Sequence, residues 1–581
     1  MKYPYLSELP ATREMISAFG GYNHNLRISD GEFYDMKNLS SDDYPLISPR
    51  AQRGVYATPD SPQGMISKDS LCYVDGSDFV INEKRIEMGL STAEADCPKT
   101  LVSMGSYVII MPDKMWINTT DFEFGNIEAT VTTKTSATIT HCKLDGTEFS
   151  DENLTIGDEA PADPENLAYW IDTSTTPHTL KQYSATSAMW VAVATTYIKI
   201  TATGIGAPFE VGDGVFISGV KIDSFDDVNS MILQGCGDDY IIVIGILDEV
   251  KTQDTPIMVK RQMPNMDFII ESENRLWGCR YGLSVDNEVV NEIYASKLGD
   301  FKNWNCFAGI STDSYAVSLG SDGQFTGAIT HRGFPLFFKE TCMHKVYGNY
   351  PANYQIQTTA CRGVQKGSEK SLAIVNEDLY YKSRTSVCYY DGSLPTEISA
   401  ALGDISYYKA VAGTLGNKYY ISMADADDVY HLFVYDTKKG LWHKEDNTQA
   451  VEFCNCRGEL YYIDHSDNQI KTVKGTGTVD TTAIEWEAIT GVIGTDSPDK
   501  KYISRIDVRL SLKLGTTVYF FIQYDSSGVW EELHVMTGIT LRSFSVPIRP
   551  KRCDHLQLRI IGTGEAKIYS ICKTIEQGSD L

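Results

Sequence analysis

The sequence predicts a mainly β protein: a β-propeller with an inserted β-barrel or β-sandwich domain and a C-terminal, jelly-roll-like β-sandwich. Two observations predict this fold class. The 581 residues include 34 Tyr, 21 Phe and 46 Gly. Apolar and polar residues alternate in short stretches such as 197–202 and 516–523, the pattern of half-buried strands. One phrase also recurs at the spacing of a propeller blade, roughly 40–50 residues.

The recurring phrase is an apolar strand, a short polar turn and a pair of aromatic residues. Its clearest copies are at 378–381, 417–420 and 459–462. Weaker copies lie near residues 70, 106, 274 and 334, which makes seven copies in all. Propellers have about 4–8 blades, so the number of copies also favours this fold.

The order of the elements follows from where the phrase stops. It is interrupted between Trp116 and about Met266, and it ends after 473–477, beyond which longer alternating strands follow. Residues 1–60 are polar and rich in Asn, Asp, Tyr and Pro, which predicts an irregular segment. The predicted division is an extended N-terminal segment (1–60), first blades (61–125), an inserted β-domain (126–265), remaining blades (266–477) and a C-terminal β-sandwich (478–581).

The charge and the apolar pattern exclude several function classes. Lys and Arg number 51 against 77 Asp and Glu, giving a net charge of −26, which repels nucleic acid and argues against a protein that reads DNA grooves. The longest apolar run, 240–247, suits a buried strand, and the start of the sequence has no signal core, so we expect neither a membrane span nor export. Thirteen scattered cysteines predict reduced thiols.

The sequence contains few motifs for catalysis or for cofactor and metal binding. No phosphate-binding loop, zinc motif or nucleophile elbow is present. The acidic turn at 425–428 has oxygen ligands suited to Ca²⁺, but we interpret it as a solvated turn. Residues 525–530 hold one Asp-box-like turn, and a single copy outside the blades is weak support for a sialidase-like enzyme. The sequence therefore predicts no catalytic residue, no metal, no cofactor and no enzymatic activity.

Several short motifs carry a resemblance to a known family. Residues 19–23 read Phe-Gly-Gly-Tyr-Asn, 28–39 contain Asp-Gly-Glu-Phe and end in Asn-Leu, and 44–50 run from Tyr-Pro to Pro-Arg. Residues 294–304 contain Ser followed by Asp-Phe-x-x-Trp. Together these motifs resemble tail-nozzle and packaged-DNA stabilisation proteins of tailed bacteriophages. The resemblance covers roughly 15–55 and 265–475, and the family's Gly-Leu before Arg-Pro is absent here.

The resemblance implies a non-enzymatic virion structural protein. Such proteins form a homo-oligomeric ring, typically a hexamer, below the portal and head–tail adaptor, and they act as conduit and gate for genome DNA. The DNA passes without specific binding, which suits the acidic charge, and tail fibres or spikes can dock on the ring. The protein would be assembled in the bacterial host cytoplasm and located in the virion tail. We expect contacts to subunits or the adaptor at Gly20, Gly21, Asn38, Pro45 and Arg50.

Two alternatives stay open at this point. A phage distal-tail receptor-binding protein would recognise host-surface glycan through the propeller or the sandwich and would form no ring. A propeller glycosidase or lyase would carry clustered carboxylates at the propeller axis and would cleave a polysaccharide.

Overall fold

The fold is mainly β, as the sequence predicts, with a β-propeller, an inserted β-domain and a C-terminal β-sandwich. The computed structural model describes residues 11–92, 98–150, 152–284, 287–479, 482–495, 500–538 and 540–577. The described residues fall into two compact units, with bounds Met1–Pro98, Phe337–Met343 and Thr359–Leu581 for the first and Lys99–Leu336 and His344–Thr358 for the second.

Outside the inserted domain, six sheets of the described chain have four strands in consecutive order, as propeller blades have, and a five-stranded sheet follows them. We number these seven sheets as blades 1–7 along the chain. Blade 1 consists of Pro62–Ser67, Leu71–Asp75, Asp78–Ile81 and Lys84–Glu87. Blade 2 consists of Thr100–Met104, Tyr107–Met111, Met115–Asn118 and Phe124–Asn126. Blade 3 consists of Phe268–Ser272, Arg275–Leu283, Val289–Ala295 and Tyr315–Ser318. Blade 4 consists of Phe325–His331, Phe334–Lys339, Cys342–Tyr347 and Gln355–Ala360.

The last three blades carry the clearest copies of the sequence phrase. Blade 5 consists of Ala373–Val375, Asp378–Lys382, Val387–Tyr390 and Thr396–Glu397. Blade 6 consists of Tyr408–Leu415, Lys418–Ala424, Tyr430–Asp436 and Leu441–Lys444. The aromatic pairs lie on the second strand of each blade, where their rings fill the core: Tyr381 and Tyr419 are fully buried. Short 3₁₀ helices span Pro351–Asn353, Glu369–Ser371 and Ala400–Leu402.

Blade 7 is completed by a strand from the other end of the sequence. Its order is Ala450–Cys456, Glu459–Asp464, Ile470–Thr472, Gly54–Ala57 and Thr478–Val479. Gly54–Ala57 lies between two partners and pairs antiparallel with both. The N-terminal strand therefore takes the position that a fourth local strand holds in the other blades.

The inserted β-domain lies between blades 2 and 3 in the sequence. Its eight-stranded sheet has the order Ala129–Thr132, Met258–Arg261, Gly214–Ser218, Met231–Gly237, Tyr240–Ile244, Tyr197–Thr201, Ala137–Cys142 and Lys251–Gln253. A separate four-stranded sheet contains Leu154–Gly157, Tyr169–Asp172, Thr179–Ser184 and Met189–Ala192. Aliphatic side chains such as Ile139, Ile200 and Val259 form the core of the eight-stranded sheet.

The C-terminal sandwich has two sheets, and both include strands from the N-terminal region. One has the order Ala11–Ile16, Ala566–Gln577, Lys501–Leu512 and Arg542–Val546. The other has the order Gly21–Tyr22, Glu32–Lys37, Glu485–Thr490, Leu556–Thr563, Thr517–Tyr524 and Glu531–Thr537. A short pair, Leu39–Ser40 with Ser48–Pro49, follows.

The N-terminal region thus differs from the irregular, separate segment that its polar composition predicts. Polar residues are tolerated because many of these strand positions are only half buried, as in Glu32–Lys37. Residues 11–57 belong to the sandwich and to blade 7 of the same chain.

Candidate functional site

Two neighbouring turns bring amide side chains together at one end of blades 5 and 6. The turn after Val375 has positive φ at Asn376 and Glu377 (49° and 71°), the conformation of a tight two-residue hairpin. The corresponding turn of blade 6 contains Asn417. Asn376 Nδ2 donates hydrogen bonds to Asn417 Oδ1 (3.0 Å) and to Thr437 Oγ1 (3.3 Å). The two turns are thereby held side by side.

Beneath these turns lies a cavity of about 630 Å³, a size typical of small-molecule sites. We call it the tyrosine groove. Its lining residues are Asn376, Asp378, Tyr380, Tyr389, Ile398, Asn417, Tyr435, Thr437 and Lys438. Three aromatic rings and several planar or hydroxyl polar groups therefore face one space.

The three tyrosine rings form one cluster. The Tyr380 ring lies 5.5 Å from that of Tyr389 and 6.2 Å from that of Tyr435, centroid to centroid. The ring of Tyr435 in turn packs against that of Trp442, with 4.9 Å between the ring centroids. These spacings are those of packed aromatic pairs, so the rings are held in place before any ligand arrives.

The hydroxyl groups of Tyr380 and Tyr435 remain protonated. Burial raises the pKa of Tyr380, and the nearby Tyr435 and Asp378 raise it further. Burial and Asp436 raise the pKa of Tyr435 in the same way. The groove can therefore offer phenol O–H donors at any physiological pH.

A second cavity, of about 360 Å³, adjoins the groove and shares Asn417 and Lys438 with it. We call it the lysine pocket. Its charged lining residues are Arg50, Lys418, Lys438, Lys439, Lys474, Asp42, Asp436 and Glu445. Cations thus outnumber carboxylates in this part of a strongly acidic protein.

Some of these cations are held in ion pairs. Lys418 Nζ lies 2.7 Å from Asp42 Oδ1, and Lys439 Nζ lies 3.3 Å from Asp436 Oδ2. Burial opposes ionisation of Asp42, but Lys418 outweighs it and lowers the pKa of that carboxyl. The pKa of Asp436 is also lowered, because bonds from Ser41 and Lys439 outweigh its burial.

Of the residues predicted as interface contacts, Gly20 and Gly21 pack within the chain. Gly20 N donates to Gly31 O at 2.8 Å. Gly21 has φ of +84°, and a Cβ atom there would overlap the carbonyl oxygen of Trp442. The second glycine is thus required by a close approach of the backbone to blade 6.

Asn38 and Arg50 contact each other, and both are bonded to distant parts of the chain. Arg50 Nε donates to Asn38 Oδ1 at 2.9 Å, and Asn38 Nδ2 donates to Glu485 O at 2.8 Å. Arg50 also pairs with Glu445 (3.6 Å) and Asp446 (3.3 Å). Arg50 is the one predicted residue that lines a cavity of the candidate site.

Pro45 lies apart from the candidate site. It is exposed, and its carbonyl accepts a hydrogen bond from Phe19 N at 3.0 Å. These bonds give all five residues an intramolecular role. A role at a subunit or adaptor interface is not tested by them and stays a prediction.

Sequence reasoning missed the tyrosine groove, although part of the signal was visible. The phrase that locates the blades includes Tyr380 and the turn containing Asn417, but an aromatic pair in a predicted strand indicates packing and gives no sign of a ligand. Nothing in the sequence shows that Asn376 and Asn417, 41 residues apart, meet across two blades.

The described residues contain neither a candidate membrane-spanning helix nor a candidate metal site. No helix in this part of the chain is long and apolar enough to cross a membrane. No group of three or more His, Cys, Asp and Glu side chains among these residues is arranged to hold a metal ion.

Comparison with known proteins gives likenesses of structure only. No protein-family model and no curated protein matches the chain. An exo-β-1,3-galactanase from Phanerochaete chrysosporium is 10% identical over 52% of this chain and 94% of its own, with a TM-score of 0.21. An engineered GH43 glycoside hydrolase is 9% identical over 54% and 96%, with a TM-score of 0.20. A mutant Trypanosoma rangeli sialidase is 8% identical over 99% and 97%, with a TM-score of 0.19.

These findings correct two expectations from the sequence. The prediction of a non-enzymatic phage structural protein, whether tail nozzle or receptor-binding protein, is contradicted, because the solved structures that resemble the chain are carbohydrate-active enzymes. The prediction that the protein is not an enzyme is contradicted by the same finding. At such low identity and TM-score the likeness concerns the fold alone, so we transfer no residue role from these proteins.

The remaining predictions from the resemblance are untested. They are the membership of the phage family itself, the hexameric ring, the adaptor and fibre partners, passage of DNA and the virion location. They stay predictions.

Proposed function

We propose that the protein binds carbohydrate in the tyrosine groove. The observation that carries this proposal is the arrangement of three clustered tyrosine rings beside Asn376, Asn417 and Thr437 around one cavity of about 630 Å³. This arrangement combines apolar faces with groups that form directional hydrogen bonds.

Sugars need both kinds of group. A pyranose ring presents a face of C–H bonds, which packs on the electron-rich face of an aromatic ring. Its edge presents hydroxyl groups, each of which donates and accepts hydrogen bonds. Amide side chains and hydroxyls satisfy those groups because they too can donate and accept. A groove with only aromatic residues would bind apolar ligands without this specificity.

The rings, amides and hydroxyl groups of the groove support binding, whereas cleavage needs a catalytic acid, which Asp42 and Asp436 do not supply. Glycoside hydrolysis uses two carboxyl groups, of which one must be protonated to act as the acid. Asp42 and Asp436 in the adjoining pocket have lowered pKa values, the opposite of what an acid needs. We therefore propose a binding site and make cleavage a separate measurement.

The test is titration calorimetry with galactotetraose, cellotetraose and maltotetraose. We expect at least one to bind, and Tyr389→Ala and Asn376→Ala each to weaken binding about tenfold, since each removes roughly 1–1.5 kcal/mol of contacts. Tyr408→Ala is the matched control, because Tyr408 is an exposed blade 6 tyrosine (45%) outside the groove.

The same incubations show whether the sugar is cleaved, through release of new reducing ends. Absence of binding to every neutral and acidic oligosaccharide tried, or binding that both groove variants leave unchanged, would overturn the proposal. Asn376 is exposed, so its replacement keeps the test valid even where Tyr389→Ala fails to fold.

A further inference from the structure

The tyrosine groove and the lysine pocket are neighbouring cavities. Asn417 and Lys438 line both cavities, so a ligand on the tyrosine rings lies next to the cations of the lysine pocket. A ligand longer than one sugar unit in the groove would therefore extend toward the lysine pocket.

The lining of the lysine pocket has an excess of positive charge, whereas the whole protein is negatively charged. Five cationic side chains line it against three carboxylates, whereas the whole chain carries a net charge of −26. A local excess of cations on such a background concentrates anions at that place, because the surrounding surface repels them.

Not all of the pocket's cations are neutralised by its carboxylates. Lys418, Lys439 and Arg50 are the partners of Asp42, Asp436 and Glu445. The other two cations, Lys438 and Lys474, form no ion pair within the described residues. Both are exposed, and Lys474 Nζ donates to the carbonyl oxygen of Gly458 at 3.2 Å. An ammonium group has three donors, so each of these lysines can still bind an anion.

We propose that the carbohydrate bound here is an acidic oligosaccharide, whose sugar rings pack in the tyrosine groove and whose carboxylate, sulfate or phosphate substituent binds Lys438 and Lys474. This inference rests on the proposed function and adds the substrate class. Lys438 marks the junction of the two cavities, and Lys474 belongs to the lysine pocket alone.

The experiment compares tetragalacturonate with its fully methyl-esterified form, which differs in charge but keeps the sugar ring. In 50 mM NaCl we expect the acid to bind at least tenfold more tightly than the ester. In 500 mM NaCl we expect that advantage to shrink several-fold, because salt screens charge interactions. A sulfated galactotetraose and inorganic sulfate distinguish a carboxylate from other anions on the same sugar and from a free anion.

Three variants complete the test. Lys474→Gln is expected to weaken binding of the acid about fivefold and to change binding of the ester less than twofold. Lys438→Gln is expected to weaken binding of the acid at least as much. Lys366→Gln, at an exposed lysine in the loop before blade 5, is the control and is expected to change binding of neither the acid nor the ester. All three positions are exposed, so loss of folding is not expected to interfere.

The outcomes separate this inference from the proposed function. If the ester binds as tightly as the acid and Tyr389→Ala weakens both, the acidic-ligand inference is wrong and the sugar-binding proposal stands. If the acid binds in a Lys474-dependent way that Tyr389→Ala and Asn376→Ala leave unchanged, the pocket binds anions alone and both proposals are wrong. Equal competition by inorganic sulfate, without any contribution from sugar, overturns both in the same way.

Discussion

Arg53 connects the strand that completes blade 7 to the end of blade 6. Its guanidinium pairs with Glu445 at 2.8 Å and Asp446 at 2.9 Å, and it lies 5.4 Å from the ring of Tyr462. Burial opposes ionisation of Asp446, but Arg53 and Arg50 outweigh it and lower the pKa of this carboxyl. The two arginines and the two carboxylates thus neutralise one another as one network of four charges.

We predict that Arg53→Met lowers the free energy of unfolding by about 3 kcal/mol. Removing one partner of a buried ion pair leaves the other charge uncompensated, which typically costs about 3–5 kcal/mol. Urea denaturation measures this loss, and Arg384→Met at an exposed site is the control. A loss below 1 kcal/mol would show that Glu445 and Asp446 are adequately compensated by Arg50.

His141 is a buried histidine of the inserted domain. Its Nε2 accepts the Leu247 N–H bond at 3.1 Å, which requires that nitrogen to be unprotonated. Burial lowers the pKa of His141 to about 4 from its ordinary 6.5. Between these two pKa values, His141 is therefore protonated in the unfolded state and unprotonated in the folded state.

This difference predicts a loss of stability in acid. Above pH 6.5 both states are neutral at this position and its contribution is constant. As the pH falls from 6.5 toward 4, the unfolded state gains the proton first, and stability falls by about 1.4 kcal/mol per pH unit from this group. His141→Gln keeps an acceptor for Leu247 and should flatten this part of the profile. Parallel pH profiles for the two proteins would contradict the assignment to His141.

At the scale of strands, a tryptophan and a glycine lie opposite each other on two neighbouring strands of the sandwich. Trp486 pairs directly with Gly562 across neighbouring antiparallel strands, and its fully buried ring occupies the space that a Cβ atom at 562 would take. Trp486 Nε1 donates to Gly564 O at 3.0 Å, so the ring cannot turn away without losing that bond.

We therefore predict that Gly562→Ala destabilises the protein by about 1–3 kcal/mol, the usual cost of overpacking. Gly157→Ala is the control, because a Cβ atom at Gly157 meets nothing within 4 Å. Thermal denaturation followed by near-UV circular dichroism reports on both stability and the Trp486 environment. An unchanged melting temperature for Gly562→Ala would mean that the sheet relaxes to admit the methyl group.

The strands also show what could be predicted from the sequence. Alternation is local, so stretches such as Lys501–Leu512, where buried and less buried residues alternate, are recognisable without a structure. Partner choice is not local. Ala11–Ile16 pairs with residues 571–576, and nothing in six residues specifies a partner more than 500 positions away. Gly21–Tyr22 is too short to show any period.

The candidate site was hidden for the same reason. Tyr380 and Tyr435 belong to different blades, and each was recognisable as a strand aromatic, but their approach to 6.2 Å depends on how the blades pack. Lys438 and Lys474 lie in separate turns whose proximity to Arg50 arises only when the N-terminal region joins the last blades.

At the scale of the molecule, the net charge of −26 is a source of self-repulsion in the folded state. We predict that raising NaCl from 10 to 200 mM increases the melting temperature by about 2–4 °C, the shift that roughly 1 kcal/mol gives in domains of 150–250 residues. Screening is the cause, since the Debye length falls from about 30 Å to below 10 Å over this range. KCl should act equally, and a melting temperature that falls with salt would contradict the prediction.

The strand Gly54–Ala57 has a consequence for how the polypeptide is made. It emerges from the ribosome more than 400 residues before its partner Ile470–Thr472, which at about 5–20 residues per second is a delay of roughly 20–80 s. During that time its hydrogen-bonding edges have no native partner, and an unpaired edge is a template for aggregation. Blade 7 can therefore form only late in translation, and slow synthesis lengthens the period in which nascent chains are vulnerable to one another.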